Sequence, residues 1–162
     1  MIMVTRHARA MITNDSEWFF DWGALWKGAA RISNCSMHMI RPQFYREHVL
    51  ARDIRFFSAV GGGRMHYCGS PDEVIDDFFR APQISGLDYD SQYHDLWSLA
   101  KRAPRRVTLM QSASTETVAR LLAGDWPTKR NIILTLTSAS VAKARELLQA
   151  LRTSARRAYG KG

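Results

Sequence analysis

Five times after residue 29, a short apolar or β-branched run is followed by a stretch whose apolar side chains recur at helical spacing. This alternation predicts parallel strands joined by right-handed helical crossovers, and so an α/β fold. Ala30-Arg31-Ile32-Ser33 reads as the end of a first strand. Pro42 opens the helix that follows, Gln43 to Val60, because a residue without an amide proton costs little in a first turn. Gly61-Gly62-Gly63 ends it. The second unit is Arg64 to Cys68, then a helix over Asp72 to Arg80 with Ser70 and Glu73 spaced as a capping box. Gln83 to Tyr89 and a helix around Tyr93 to Lys101 make the third. Arg106 to Met110 with Thr115 to Leu122 make the fourth. Asn131 to Thr137 with Ser140 to Arg156 make the fifth. Parallel strands are expected to be apolar and covered on both faces, and the second and fifth runs fit this best.

Five such units suit either an open doubly wound sheet or part of a (β/α)₈ barrel. The 162 residues favour the open sheet on length, since a whole barrel needs about 250. No glycine-rich phosphate loop of either common form is present. Gly61 to Gly63 follow a helix and precede a strand, the wrong end for cradling phosphate. Residues 1–28 form a separate N-terminal extension in which Trp18, Phe19, Phe20, Trp22 and Trp26 crowd together. They predict a lid or plug against the strand ends, or a segment buried against the core. Residues 29–162 form the main domain.

The formal net charge is +8, from 23 Lys and Arg against 15 Asp and Glu. Much of the excess sits in Lys101 to Arg106 and in the tail from Arg152 to Lys161, with no recognition-helix or zinc-finger pattern. It therefore reads as solvated surface and not as a nucleic-acid interface. No apolar run reaches the roughly 18 residues of a membrane span, and Arg6, His7 and Arg9 break the N-terminal apolar stretch, so a cytoplasmic chain is expected. Two cysteines, Cys35 and Cys68, are too few for a disulfide framework.

The order of local motifs resembles the uroporphyrinogen decarboxylase superfamily, which includes zinc-dependent corrinoid and coenzyme M methyltransferases. Ile32-Ser33-Asn34-Cys35-Ser36 followed by Arg41-Pro42-Gln43-Phe44-Tyr45 is similar to its strand, serine-bearing turn and helix start. Gly62-Gly63-Arg64-Met65-His66-Tyr67-Cys68-Gly69 resembles the G-x-x-H-x-C-G strand of the methyltransferase-like branch. Ile84 to Tyr89 resembles the G-L-D-W strand, and Val107 to Gln111 the strand ending L-Q-G-N. Ile132 to Ser138 with Ala142 to Leu151 looks like the last strand and helix.

The resemblance implies strands four to eight of a (β/α)₈ barrel, with the first three expected before residue 1. The decarboxylase's substrate-handling Arg and Asp lie mostly on those three, and Thr137-Ser138-Ala139 stands where its last strand carries G-H-G. An enzyme half of tetrapyrrole decarboxylation or methyl transfer is therefore expected, incomplete on its own. The alternative is a non-catalytic half-barrel. Either way the exposed edges predict association with a second copy or a complementary N-terminal half.

His66 and Cys68 are two apart on a strand and so share a face. A barrel strand ending at Gly69 would carry both to the mouth where active sites of this fold lie. Imidazole and thiolate together suit zinc. In the methyltransferase branch a later cysteine on the last strand completes the set and the zinc activates a substrate thiol. Here that strand offers Thr137 and Ser138, leaving Cys35 as the substitute if it faces the same way. The competing reading keeps His66 hydrogen-bonded in a polar pocket and Cys68 as a small buried residue. Asp88 either orients His66 and a ligand or caps the next turn, so His66 and Asp88 are the catalytic candidates. Asn34, Ser36, Tyr89, Gln111 and Ser138 are the expected contacts to a small anionic substrate. His38 and His48 fall in or near a helix and are expected at the surface, and His94 shows no partner in the sequence.

Overall fold

The computed structural model of the protein describes residues 1–12, 17–127 and 131–160. Helix α1 (Ile2–Ile12) precedes an antiparallel hairpin of β1 (Trp18–Asp21) and β2 (Ala24–Lys27). A five-stranded parallel sheet follows: β3 (Ala30–Ser33), β4 (Gly63–His66), β5 (Ile84–Asp88), β6 (Thr108–Ser112) and β7 (Ile132–Thr135), in that spatial order. Between them run α2 (Pro42–Phe44), which continues through a π-helical stretch Tyr45–Leu50 into α3 (Ala51–Val60), then α4 (Asp72–Arg80), α5 (Leu96–Arg102) and α6 (Thr115–Leu122). Helix α7 (Val141–Tyr159) closes the described chain, and Lys161 lies outside the described residues. The α/β class and the five parallel strands predicted from the alternation are present. Among the described residues no helix is long and apolar enough to cross a membrane.

Local chemistry explains the boundaries. Gly61 ends α3 with φ 95°, a left-handed conformation that glycine adopts without a Cβ penalty. Helix α5 starts at Leu96 and not near Tyr93, because the Asp95 side chain caps it by accepting from the Ser98 amide at 2.8 Å. The expected capping box at Ser70 does not form. The Ser70 hydroxyl donates to Asp72 at 3.0 Å, and Pro71 takes the cap position without a side-chain bond.

The two faces of the sheet differ in kind. Ile32, Met65, Leu87 and Leu109 point toward the helices, where they meet Phe57, Val74, Ile75, Phe78, Leu96 and Leu99 in one continuous core. Those that are fully buried contribute about 1.5–3 kcal/mol each, whereas Ile32 is half-buried at the edge. The alternate positions carry Arg31 and Ser33, Arg64 and His66, Gly86 and Asp88, and Met110, which lie side by side in the parallel register. The expectation that the second strand is an apolar run is corrected: β4 is buried but alternates, with Met65 in the core and the polar Arg64 and His66 on the opposite face.

The hairpin covers the base of that second face. A Cβ on Gly86 would meet the Trp26 ring at 2.5 Å, so glycine is what lets the indole lie against β5. The Arg64 guanidinium sits over the same ring, 4.6 Å from its centroid. Of the crowded aromatics, Trp26 is thus the plug, whereas Phe20 and Trp22 remain exposed.

Candidate metal centre

The polar face ends in a cluster at the C-terminal ends of the strands. Cys35 follows β3, and His66 closes β4 with Cys68 two residues on. Because Ser33 pairs with His66, the register carries Cys35 alongside Cys68. Cys68 Sγ lies 3.4 Å from Cys35 Sγ and 3.7 Å from His66 Nε2, and all three ligand atoms fall within 4.8 Å of one another. A tetrahedral zinc with bonds of about 2.3 Å to sulfur and about 2.05 Å to nitrogen would set two sulfurs about 3.8 Å apart and sulfur and nitrogen about 3.5 Å apart. The donor types and spacings therefore fit such an ion within a few tenths of an ångström on the two short edges.

Behind the ligands stands a chain of charges. Asp88 Oδ2 accepts from His66 Nδ1 at 2.9 Å and from Arg64 Nη1 at 2.6 Å. Arg64 Nε also donates to Asp21 Oδ2 at 2.8 Å, and its Nη2 bonds to the same oxygen. Arg64 is fully buried, and two carboxylates and the Trp26 face surround its guanidinium and offset the cost of burying a charge. A histidine whose Nδ1 proton is held by a carboxylate presents its Nε2 lone pair outward, the arrangement that orients metal-binding imidazoles.

These contacts set the protonation states. The hydrogen bond to Asp88 raises the His66 pKa against the opposing effect of burial, with the Asp88 charge adding to it. Burial pushes the Asp88 carboxyl up, but the hydrogen bonds from His66 and Arg64 outweigh it and hold the pKa below the ordinary value. The Ser33 hydroxyl, 3.5 Å from Cys35 Sγ, lowers the Cys35 pKa, and Cys68 and His66 assist. Cys68 shifts the other way because its proton is the one donated to Cys35.

His66 has a raised folded pKa, so its stabilisation is full below the ordinary imidazole pKa of about 6.5 and is lost as pH rises through the folded value. Asp88 has a depressed pKa, so its share is present above the ordinary carboxylate range and lost as pH falls through the folded value. In the metal-free chain we expect an NMR titration of His66 to show a midpoint above the ordinary imidazole value of about 6.5. A midpoint at or below that value would mean that the Asp88 contact does not hold in solution.

A cavity of about 380 Å³ opens beside the cluster, walled by Trp22, His66, Cys68, Asp88, Met110 and Ser112. Trp22 holds a positive φ of 51° at the hairpin tip, which turns the chain over the mouth. A larger hollow of about 540 Å³ lies at the opposite ends of the strands, near Lys27, Gly62 and Gln83. Among the described residues no His, Cys, Asp or Glu cluster able to hold a metal converges there, so the candidate centre belongs to the smaller one.

The other expected site residues disperse. Asn34 turns to the helix side, where its amide donates to Asp53 Oδ2 at 2.7 Å and to the Tyr45 hydroxyl at 3.2 Å; this anchors the turn that bears Cys35. The Tyr89 hydroxyl donates to Gln111 Oε1 at 2.7 Å, and both side chains are buried against the cavity wall. Ser36 is exposed before the short 3₁₀ turn, and the exposed Ser138 donates to the Ser140 carbonyl, well along the chain from the ligands. His94, without a partner in the sequence, is buried on the helix side between the Tyr67 and Tyr89 rings, with Asp72 at 3.4 Å.

Arg64, Asp21 and Ser33 were not foreseen as site residues. Strand periodicity puts Arg64 on the face of His66, but nothing local in the sequence announces Asp21. Comparison with known protein families, with curated proteins and with solved structures finds no match.

Proposed function

We propose that this chain is the C-terminal part of a (β/α)₈-type enzyme resembling the uroporphyrinogen decarboxylase superfamily, with a zinc centre at Cys35, His66 and Cys68 that receives a small anionic thiol. The observation that carries this reading is the convergence of those three ligand atoms at the C-terminal strand ends, with His66 tied to Asp88. Active sites of barrel folds lie at that end. Strand order supports the partial barrel: each strand adds beside its predecessor, whereas a doubly wound sheet reverses direction.

Two sulfurs and one imidazole would leave a tetrahedral ion one open position, the pattern of catalytic and not of closed structural sites. Zinc held by Cys35, His66 and Cys68 would supply a Lewis acid that keeps a substrate thiol ionised near neutral pH. The protein's own share is positional. Asp88 retains the Nδ1 proton and so frees His66 Nε2, and Arg64 neutralises Asp88 from behind. Trp22 and Met110 wall the cavity, and Ser112 and Thr135, whose hydroxyls lie 3.1 Å apart, give it a polar rim. Cys35 takes the part that a last-strand cysteine plays in the methyltransferase branch.

Zinc reconstitution tests this. One zinc per folded chain is expected, and His66→Ala should lose it. X-ray absorption should count two sulfur ligands, rising to three on addition of 2-mercaptoethanesulfonate. A folded chain that takes up no zinc would end the proposal, and an unchanged sulfur count would end its substrate assignment.

A second reading, a half-barrel scaffold that works by association, is favoured by the sheet edges. β3 and β7 each pair with a single neighbour among the described residues. Unpaired parallel edges recruit partners. Light scattering on a sizing column should then give a discrete mass above that of the 18.5 kDa chain. A monodisperse monomer would rule against self-association.

A further inference from the structure

The same mouth holds two thiols at contact distance. Cys35 is exposed, Cys68 is partly exposed, and their sulfurs lie 3.4 Å apart as free thiols. The register explains the approach, since Ser33 faces His66 and the Asn34 amide still bonds to the His66 carbonyl at 2.8 Å. Beyond that bond the ladder stops: Cys35 sits in a turn and Cys68 in the segment leading to Gly69. A disulfide of about 2.05 Å needs the sulfurs, now 3.4 Å apart, to close by about 1.4 Å.

We propose that Cys35 and Cys68 interconvert between a metal-holding dithiol and an intramolecular disulfide, so that a peroxide empties the centre and a thiol reductant restores it. The disulfide rests on the sulfur geometry alone; the emptying of the centre rests also on the zinc reading above.

The chemistry balances with peroxide as the oxidant. Cys35 Sγ, the more exposed sulfur, attacks one peroxide oxygen. The O–O bond breaks, Cys35 becomes a sulfenic acid, and the other oxygen leaves as hydroxide, which takes the thiol proton to form water. Cys68 Sγ then attacks the sulfenic sulfur. The S–O bond breaks, and the departing hydroxide takes the Cys68 proton as a second water. Two thiols have lost two electrons and two protons to one peroxide. The second step is intramolecular and therefore strongly favoured over capture by another molecule. Only His66 then remains as a ligand, too few to retain the ion. Two exchanges with a small thiol return both cysteines and release that thiol as its own disulfide.

The test uses the full chain, reduced and metal-free, treated with hydrogen peroxide at equal concentration. Intact mass should fall by two hydrogen atoms, non-reducing peptide mapping should show Cys35 joined to Cys68, and dithiothreitol should reverse both. Cys68→Ser should instead leave a Cys35 sulfenic acid that dimedone traps. Over-oxidised cysteines or intermolecular dimers in place of the internal bond would overturn the proposal. In a second arm the zinc-loaded chain is oxidised beside a colorimetric chelator. Zinc appearing in step with the disulfide supports the switch, and zinc retained after the disulfide has formed overturns it. A chain that forms the disulfide but never binds zinc defeats the zinc reading and the switch together. A chain that binds zinc but forms no disulfide defeats the switch alone.

Discussion

Arg64→Met is expected to destabilise the protein by about 3–5 kcal/mol, the cost of removing one partner from a buried charge network. Methionine replaces much of the arginine stem, so the loss is electrostatic more than volumetric. The arginine is fully buried and joins Asp21 of the hairpin to Asp88 of the sheet. Asp21 keeps 27% of its side chain exposed and can rehydrate, whereas Asp88 keeps only 15% and is left facing His66 alone. Most of the cost therefore arises at Asp88. The cation–π contact with Trp26 adds about 0.5–2 kcal/mol to the same loss. Urea unfolding measures the total, and hydrogen exchange should show the β1–β2 amides losing protection first, because the arginine ties the hairpin down. A loss under about 1 kcal/mol would mean that water already shares this site.

On the zinc centre proposed above, Asp88→Asn should weaken metal binding about 10–100-fold while leaving Cys35, His66 and Cys68 in place. Asparagine offers one acceptor and one amide donor where the carboxylate accepts from both His66 and Arg64. Both of those donors bond the same oxygen, Oδ2, so an asparagine oxygen can accept from them still, but it carries no charge and the imidazole loses its added basicity. The pH dependence separates this from simple disruption. A proton competes with the metal for the imidazole, and it competes harder in the wild type, where Asp88 raises the His66 pKa. The variant's deficit should thus be largest at alkaline pH and shrink as pH falls through the wild-type His66 pKa. Affinity measured by chelator competition across that range tests it. A deficit that grows toward low pH would show that Asp88 acts on something other than the imidazole.

Much of the fold was legible because it depends on local periodicity. The bounds of α4 and α6 follow from the spacing of Val74, Ile75, Phe78 and Phe79 and from the cap at Ser114, features carried by consecutive residues. His66 and Cys68 could be placed on one face because a strand alternates every residue, whatever surrounds it. Asn34 shows the limit of such placement: it is adjacent to Cys35 yet points to the opposite side, toward Asp53 and Tyr45. Pattern alone ranks neighbours in a turn equally, whereas hydrogen bonding to a distant helix separates them.

What the sequence by itself determined is the set of β/α units, the His-x-Cys pair and the helix-facing core, since each rests on interactions within a few residues. What only the tertiary structure decided is the meeting of Cys35 with Cys68 and of Asp21 and Asp88 with Arg64. The first depends on the pairing of Ser33 with His66, a register chosen by the fit of whole faces against the core. The second depends on the hairpin folding back across the sheet, which Gly86 permits by leaving room for Trp26. Both bring together residues far apart in the chain, and no local spacing encodes a contact whose energy appears only once the surrounding surfaces have closed.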